Sequence, residues 1–350
     1  MTTVIADGDP TKDFFVHMIT KDIGLEDCIF DLIDNAIDGA RKQLKEQGKP
    51  ATIGTQFFVG CKVEITCNGS EFRIKDNGSG ISVEAARQYA LRFGKQISVK
   101  PDADHGIGLY GIGMKRAMFK IGKRIELRSS TTTESFTSTI DVESWLKEPK
   151  WDFTLEVGSA KAPGTELVIT ALHSQVAKEF GDQSFVGSLI NAIGRDYSLL
   201  IQDGIVATVN DHTVKPFVFS YLVGHAFSPF KETYTDEGVV VTLVAGMAQV
   251  PPDNNDPIKR KPDEYYGWFV VCNERVVIAS DKTEQTGWDN DGFQEWHNQY
   301  NGFLGILTFD SNDPRKLPWT TTKRGIEQSS PIFKRALVRM KSAADAFIQY

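Results

Sequence analysis

The sequence predicts an α+β protein of two domains, and three observations carry that expectation. Its 350 residues exceed what one core usually holds, at roughly 150 residues per domain. The first half runs from a long stretch of helical period into short runs of strand period. The same order restarts near residue 185 with little change of composition, which puts the domain boundary at about 172–185.

Taken in order, the first element is a helix over residues 20–47. Leu25, Ile29, Leu32, Ile33, Ala36 and Ala40 recur at three- and four-residue steps, and Gly48-Lys49-Pro50 stops the run. Strands over 62–67 and 71–75 follow, joined by Asn68-Gly69, a two-residue hairpin signal. The stretch Asp76-Asn77-Gly78-Ser79-Gly80 holds too many turn formers to be an element. A helix over 82–93 takes Ser82 as its cap, and residues 94–113, with five glycines, form a long loop. That loop opens a helix over 114–121, and strands alternate through 124–128, 137–141 and 166–171. The second half reads as a helix over 184–197 and strands over 205–209, 239–245, 268–272 and 303–309, with a polar loop at 254–261. Ser330-Pro331 starts a last helix, with Ile332, Phe333, Ala336, Leu337, Met340 and Phe347 on one face. Tyr350 carries no stop signal, as expected of a piece of something longer.

Composition narrows the classes. Lys and Arg total 39 against 46 Asp and Glu, a net charge of −7, with 41% apolar and 24% charged residues. Those values fit an ordinary globular chain and exclude a disordered, collagen-like or strongly basic nucleic-acid-binding protein. There is no apolar run of membrane-spanning length. The N-terminal residues lack the layout of a secretory signal, and Cys28, Cys61, Cys67 and Cys272 lack metal or disulfide spacing. A cytoplasmic protein with reduced, buried thiols is expected, or a nuclear one in a eukaryote, with no membrane partner.

Four motifs carry chemistry. Asp31, Asn35 and Asp38 are spaced i, i+4, i+7 and so fall within about one-sixth of a helical turn. A carboxylate and an amide turned toward one spot can hold a hard cation and orient a water; magnesium takes oxygen ligands and draws the rest from phosphates and solvent. Asp34 lies about 60° to one side. Asp76-x-Gly78-x-Gly80 follows a strand: an aspartate there can accept from an exocyclic amine, and the glycines let backbone approach a flat ring. It also reads as a plain turn. Gly108-Leu-Tyr-Gly111-Ile-Gly113-Met-Lys115 runs into a helix N-terminus, where backbone amides bind anions. It is neither a Walker loop nor a dinucleotide fingerprint. Pro163-Gly164-Thr165 precedes a strand, where a hydroxyl could reach a base through water.

In this order the four motifs resemble the Bergerat nucleotide fold of the GHKL ATPases, the family of gyrase, the ninety-kilodalton heat-shock chaperones, histidine kinases, MutL and MORC. The resemblance implies an N-terminal strap at 1–20 and an α/β-sandwich ATP-binding domain at 21–175, with its lid at 94–113. It implies that Asn35 holds Mg2+ across the phosphates, and that Asp76 binds the adenine amine with Gly78, Gly80, Ile81 and Thr165 around the base. Asp38 would support that pocket, and Gly108, Gly111, Gly113 and Lys115 would cover the phosphates. Asp31 takes the general base's place, where hydrolysing members usually carry glutamate, with Asp34, about 60° away, as its rival. A side chain about 1.5 Å shorter predicts slow hydrolysis or dependence on closure.

The second half narrows the branch. Residues 206–214 (VATVNDHTV) and 268–278 (WFVVCNERVVI) resemble strands of a ribosomal-protein-like βαβ transducer domain, here 185–350, as in gyrase, MutL and MORC. The segment Leu317-Pro-Trp-Thr-Thr-Thr-Lys323 resembles the loop whose lysine reaches the γ-phosphate, with Arg324 and Lys316 as close alternatives. The lid pattern is nearest MORC. The implied function is Mg-dependent ATP binding and slow hydrolysis, with Asp31 and Lys323 catalytic, driving N-terminal homodimerisation. DNA, or a downstream or partner effector protein, is the expected target. The alternatives are a protein-remodelling chaperone and a nucleotide sensor with little hydrolysis. Charge gives DNA no overall support; Lys259-Arg260-Lys261 and the 334–341 helix are the local basic candidates.

Overall fold

The computed structural model describes residues 8, 10–49, 56–93, 107, 111–224, 228–248 and 263–349. Most of the expected lid, including Gly108, and the basic run 259–261 lie outside the described residues. The described residues form two sheets with helices packed against them, a mixed α+β architecture.

The N-terminal helical signal resolves into two helices, α1 (Lys12–Lys21) and α2 (Leu25–Glu46). The expected start at residue 20 falls within α1, because the extended Gly24 caps a fresh helix at Leu25. Strands β1 (Lys62–Cys67) and β2 (Glu71–Asp76) pair antiparallel. Their turn is not the two-residue left-handed one, since neither Asn68 nor Gly69 has positive φ. Instead the turn is centred one residue later, on Gly69 and Ser70, with the Asn68 amide donating to Glu71 O and the Asn68 carboxamide accepting from the Ser70 and Glu71 amides at 2.9 and 3.1 Å. The expected helix at 82–93 is a single turn, α3 (Val83–Ala85), that widens into a π-turn over Ala86–Ala90, with Ser82 capping as expected.

Then come α4 (Gly113–Ile121), β3 (Gly122–Ser130), β4 (Glu134–Asp141), α5 (Val142–Lys147), β5 (Glu156–Ser159) and β6 (Gly164–Leu172). After them run α6 (Ser174–Phe180), α7 (Gln183–Asp196), α8 (Ser198–Gln202), β7 (Val206–Val209) and β8 (His212–Thr213). The first sheet has the order β5-β4-β3-β6-β2-β1-β7-β8. It is antiparallel except where β7 runs parallel to β1. Residues 206–209, expected as a strand of the second half's sheet, are therefore in the first sheet, which draws strands from both sides of residues 172–185.

The second sheet holds β9 (Phe230–Asp236), β10 (Val239–Met247), β11 (Gly267–Cys272), β12 (Arg275–Asp281) and β13 (Phe303–Asp310), in the order β12-β11-β13-β10-β9. The run 268–278 is a hairpin whose first strand is the one expected at 268–272. Asn273 and Glu274 both take positive φ, 45° and 70°, the tight turn that suits right-twisted strands. The closing helix α9 (Pro331–Gln349) lays Ile332, Phe333, Ala336 and Met340 against β10 and β13.

Helix α2 organises the core. Cys28, Ile29, Phe30, Leu32, Ile33, Ala36, Ile37 and Ala40 are all buried on it, and it packs on β2 and α4. The four cysteines are buried and free. Among the described residues no helix is long and apolar enough to cross a membrane.

Candidate nucleotide site

Helix α2 presents Asp31, Asn35 and Asp38 along the side turned toward the β2 turn and α4. Asn35 is exposed between its two neighbours, Asp31 is 6% exposed, and Asp38 is half-buried. Asp38 Oδ1 accepts from the Ile107 amide at 2.9 Å. Asp31 and Asp38 thus bracket the exposed Asn35 amide with carboxylates already engaged.

The turn after β2 closes directly onto this helix. A Cβ on Gly78 would stand 2.7 Å from the Gly39 carbonyl carbon and 2.8 Å from Ala40 N, and the Ser79 amide donates to Gly39 O at 3.1 Å. Only glycine permits that approach. Gly80, at φ +69°, would drive a Cβ to 1.9 Å from the Ser130 carbonyl oxygen. Gly164, at φ +146°, would meet Asp76 O at 2.3 Å. The three glycines thus hold the end of β2 against α2 on one side and against β3 and β6 on the other.

Asp76 sits in the middle of that cradle. Its Oδ1 accepts from the Gly78 amide at 2.8 Å and the Thr165 amide at 3.3 Å. Burial pushes its carboxyl up to about 6, against those two amide hydrogen bonds. Thr165 Oγ1 lies 3.0 Å from Ser129 Oγ, which also accepts from the Ile81 amide at 2.7 Å. Ile81 and Thr165 are therefore tied together through Ser129, a residue the sequence reading missed.

At the other end of the site, α4 begins against Asp31. A Cβ on Gly113 would lie 2.8 Å from the Asp31 carboxyl carbon, so the helix start rests on the carboxylate. Gly111 takes φ +65° just ahead of it. Lys115, expected over the phosphates, is 2% exposed and donates to Ala90 O at 2.7 Å. The residue facing α2 is Arg116, whose Nη2 donates to Asp31 Oδ2.

The loop before α9 arrives from the second half of the chain. Lys323, 4% exposed and at φ 56°, donates to Asp34 Oδ2 at 2.6 Å and stands 3.7 Å from Asp31 Oδ1. A non-glycine residue in the left-handed region is strained, and such strain gathers at functional sites. Of its two rivals, Arg324 pairs with Glu26, Asp27 and Asp196 at 2.9, 3.0 and 2.7 Å, and Lys316 donates to Glu237 O. Arg324 also lies over Phe30, 4.6 Å from the ring centroid. The loop is thereby fastened to the N-terminal turn of α2 while Lys323 reaches its middle.

Asp34, set aside as lying off the site's face, is completely buried. It accepts from Lys323, from Tyr197 Oη at 2.8 Å and from Arg275 Nη1. Burial opposes the Arg275 charge, yet Asp34 beside it leaves the guanidinium above its ordinary value. Arg275 follows the 273–274 turn, and its neighbour Glu274 pairs with Arg41 on α2 at 2.7 Å. The hairpin of the second sheet and the Lys323 loop thus converge on two consecutive turns of α2. The motif reading missed Arg116, Tyr197 and Arg275.

Residues 23–168 match the family described as Histidine kinase-, DNA gyrase B-, and HSP90-like ATPase. The segment contains α2, the β2 turn, α4 and Thr165. A curated relative is the chaperone protein HtpG of Gluconobacter oxydans (strain 621H), 24% identical over 169 residues. That alignment covers 45% of this chain and 26% of the relative, so the chain spans about a quarter of that protein's length. Residues 23–168 are therefore similar to GHKL-type ATPase domains, and the first sheet with its packed helices agrees with their α/β sandwich.

Proposed function

We propose that this chain binds ATP with Mg2+ in the cleft between α2, the β2 turn and α4, and hydrolyses it slowly as a conformational switch. The observation that carries the reading is the meeting of chain-distant motifs on α2: Gly78 against Gly39 and Ala40, Gly113 against Asp31, and Lys323 between Asp31 and Asp34. The donor set fits a magnesium nucleotide. Among the described residues no three His, Cys, Asp or Glu side chains gather as a metal cage, so Asn35 would supply one oxygen and the phosphates and water the others. Bound magnesium would neutralise phosphate charge and orient the triphosphate.

The chain's own residues would do the rest. Asp76, ionised, would accept from the adenine amine, while Gly78, Gly80 and Ile81 let the ring lie close and Thr165 bonds it through water. Asp31 would take the proton of the water that attacks the γ-phosphorus, as the bond to the β,γ-bridging oxygen breaks and leaves ADP and phosphate. Lys323 would meet the charge of that phosphate, and because it comes from the second half of the chain, the contact would make the two halves sense ATP against ADP. Gly111, Gly113 and Lys115 would position the start of α4 over the phosphates. We expect a homodimer in the ATP state.

The target of the switch is the finer question. The likeness to HtpG and the net charge of −7 support protein remodelling over DNA, the target the lid pattern suggested. The test is direct. Wild-type protein should bind ATP only weakly without Mg2+ and release phosphate slowly with it, while Asp76→Ala abolishes binding and Asp31→Asn abolishes release. Unchanged ATP binding in Asp76→Ala would overturn the assignment. Turnover stimulated by an unfolded protein, and not by DNA, would favour remodelling.

A further inference from the structure

We propose that Arg116 is a second cation for the γ-phosphate, acting with Lys323 on the two oxygens of the same carboxylate; the inference rests on the ATP reading above. Arg116 Nη2 holds Asp31 Oδ2, and Lys323 approaches Asp31 Oδ1 at 3.7 Å. The proposed base is therefore hydrogen-bonded by a cation at one oxygen and faces a second cation at the other. A carboxylate engaged by a guanidinium is not free to orient water and take its proton, so hydrolysis requires these cations to find another anion.

The terminal phosphate is the anion that the reaction brings. It would lie between Asn35, one turn along α2 from Asp31, and the start of α4, whose Gly113 rests on the Asp31 carboxyl carbon. Arg116 stands three residues into α4, close enough to exchange one anion for the other by a side-chain rotation. Its chemistry suits the exchange. The planar fork of arginine matches phosphate oxygens, whereas a lysine offers a point charge. Its side chain retains 18% exposure, compared with 7% for Asp31, and its buried Nε has no hydrogen-bond partner among the described residues.

The arrangement makes ATP the key to its own hydrolysis. ADP has no phosphate to draw Arg116 from Asp31 and leaves the base clasped. ATP removes the clasp, and the same contact then stabilises charge on the transferred phosphoryl group. Turnover alone is an ambiguous readout, because losing Arg116 frees the base and removes a phosphate contact at once. Binding separates the two.

The experiment is calorimetric titration of the full chain with Mg-ADP and with Mg-β,γ-imido-ATP, for wild type, Arg116→Gln and Arg116→Lys. Arg116→Gln should weaken the imido-ATP affinity by roughly tenfold or more, the usual yield of a charge-assisted hydrogen bond, and leave ADP within about twofold. Arg116→Lys, which keeps the charge and loses the fork, should fall between. The retained ADP affinity also reports that each variant is folded. Equal losses for both nucleotides, or no loss for either, would overturn the role of Arg116 while leaving the ATP reading intact. Wild-type protein that binds neither nucleotide would overturn both.

Discussion

Asp34→Ala tests whether the second sheet is held to the site by charge. The carboxylate is fully buried and serves Arg275, Lys323 at 2.6 Å and Tyr197 at 2.8 Å. The three losses are unequal. Tyr197 Oη keeps its contact with Phe30 O at 3.1 Å, and Lys323 keeps Asp31 at 3.7 Å. Arg275, at 1% exposure, then has no carboxylate in contact among the described residues. Removing one partner of a buried pair costs about 3–5 kcal/mol, and we expect Asp34→Ala within that range, most of it from Arg275. Urea unfolding read by the fluorescence of buried Trp268 and Trp288 measures the loss. Pairing Asp34→Ala with Arg275→Met should recover at least about 2 kcal/mol of the summed single costs, since the stranded charge is then gone. A single-mutant loss under about 1 kcal/mol, or strict additivity in the double mutant, would refute the ionic account.

Asp76 predicts a pH dependence with a definite sign. Its folded value, about 6, lies above the ordinary 3.8, so the native state holds its proton more tightly. The stability it contributes is full below pH 3.8 and is lost as pH rises through about 6. Nucleotide affinity runs the other way, rising as the carboxylate ionises to accept the adenine amine. Asp76→Asn should bind weakly at every pH and flatten both profiles; an affinity in Asp76→Asn that still rises from pH 5 to 7 as in wild type would count against this role. Gly80→Ala places its methyl 1.9 Å from the Ser130 carbonyl oxygen at φ +69°, where the obstacle is strand backbone and no rotamer relieves it. It should cost at least about 2 kcal/mol and abolish ATP binding, and an unaltered melting temperature would show the cradle to be slack.

What the sequence made legible was local. The 3.6-residue period placed Asp31, Asn35 and Asp38 together on α2; the glycine spacing after β2 was expected to make room for a flat ring, and the close approaches it makes in the structure are those of Gly78 to α2 and Gly80 to β3. Short elements such as α5 and β5 span too few residues for a period to emerge, and β7 read as a strand without revealing β1 as its partner. The site's charges were illegible for a sharper reason. Arg116 meets Asp31 across 85 residues, Tyr197 meets Asp34 across 163, Arg275 across 241 and Lys323 across 289. No periodicity spans such separations, and arginines in loops and on helices ordinarily face water. Lys323 was singled out only because its hydroxyl-rich loop carried a resemblance, with Arg324 and Lys316 as close rivals, each of which has its own partner in the structure.

Asp34 shows how a helical projection can mislead. Standing about 60° from Asp31, it looked like a weaker rival to Asp31 on the face that would hold the cation. That angle takes it off the cleft and into the interior, where a lone carboxylate is costly unless cations reach it. The cations come from the second sheet's hairpin and from the loop before α9. An aspartate adjacent to Asn35 therefore does two things at once. It fixes the rotation of α2 about its own axis, and with it the direction of Asn35, and it holds Lys323 beside Asp31. If Lys323 leaves Asp34 for a phosphate, Arg275 remains to neutralise the carboxylate, so the lysine can move without stranding a buried charge. On the proposed reading, that redundancy is what lets two basic residues far apart in the chain share a single carboxylate.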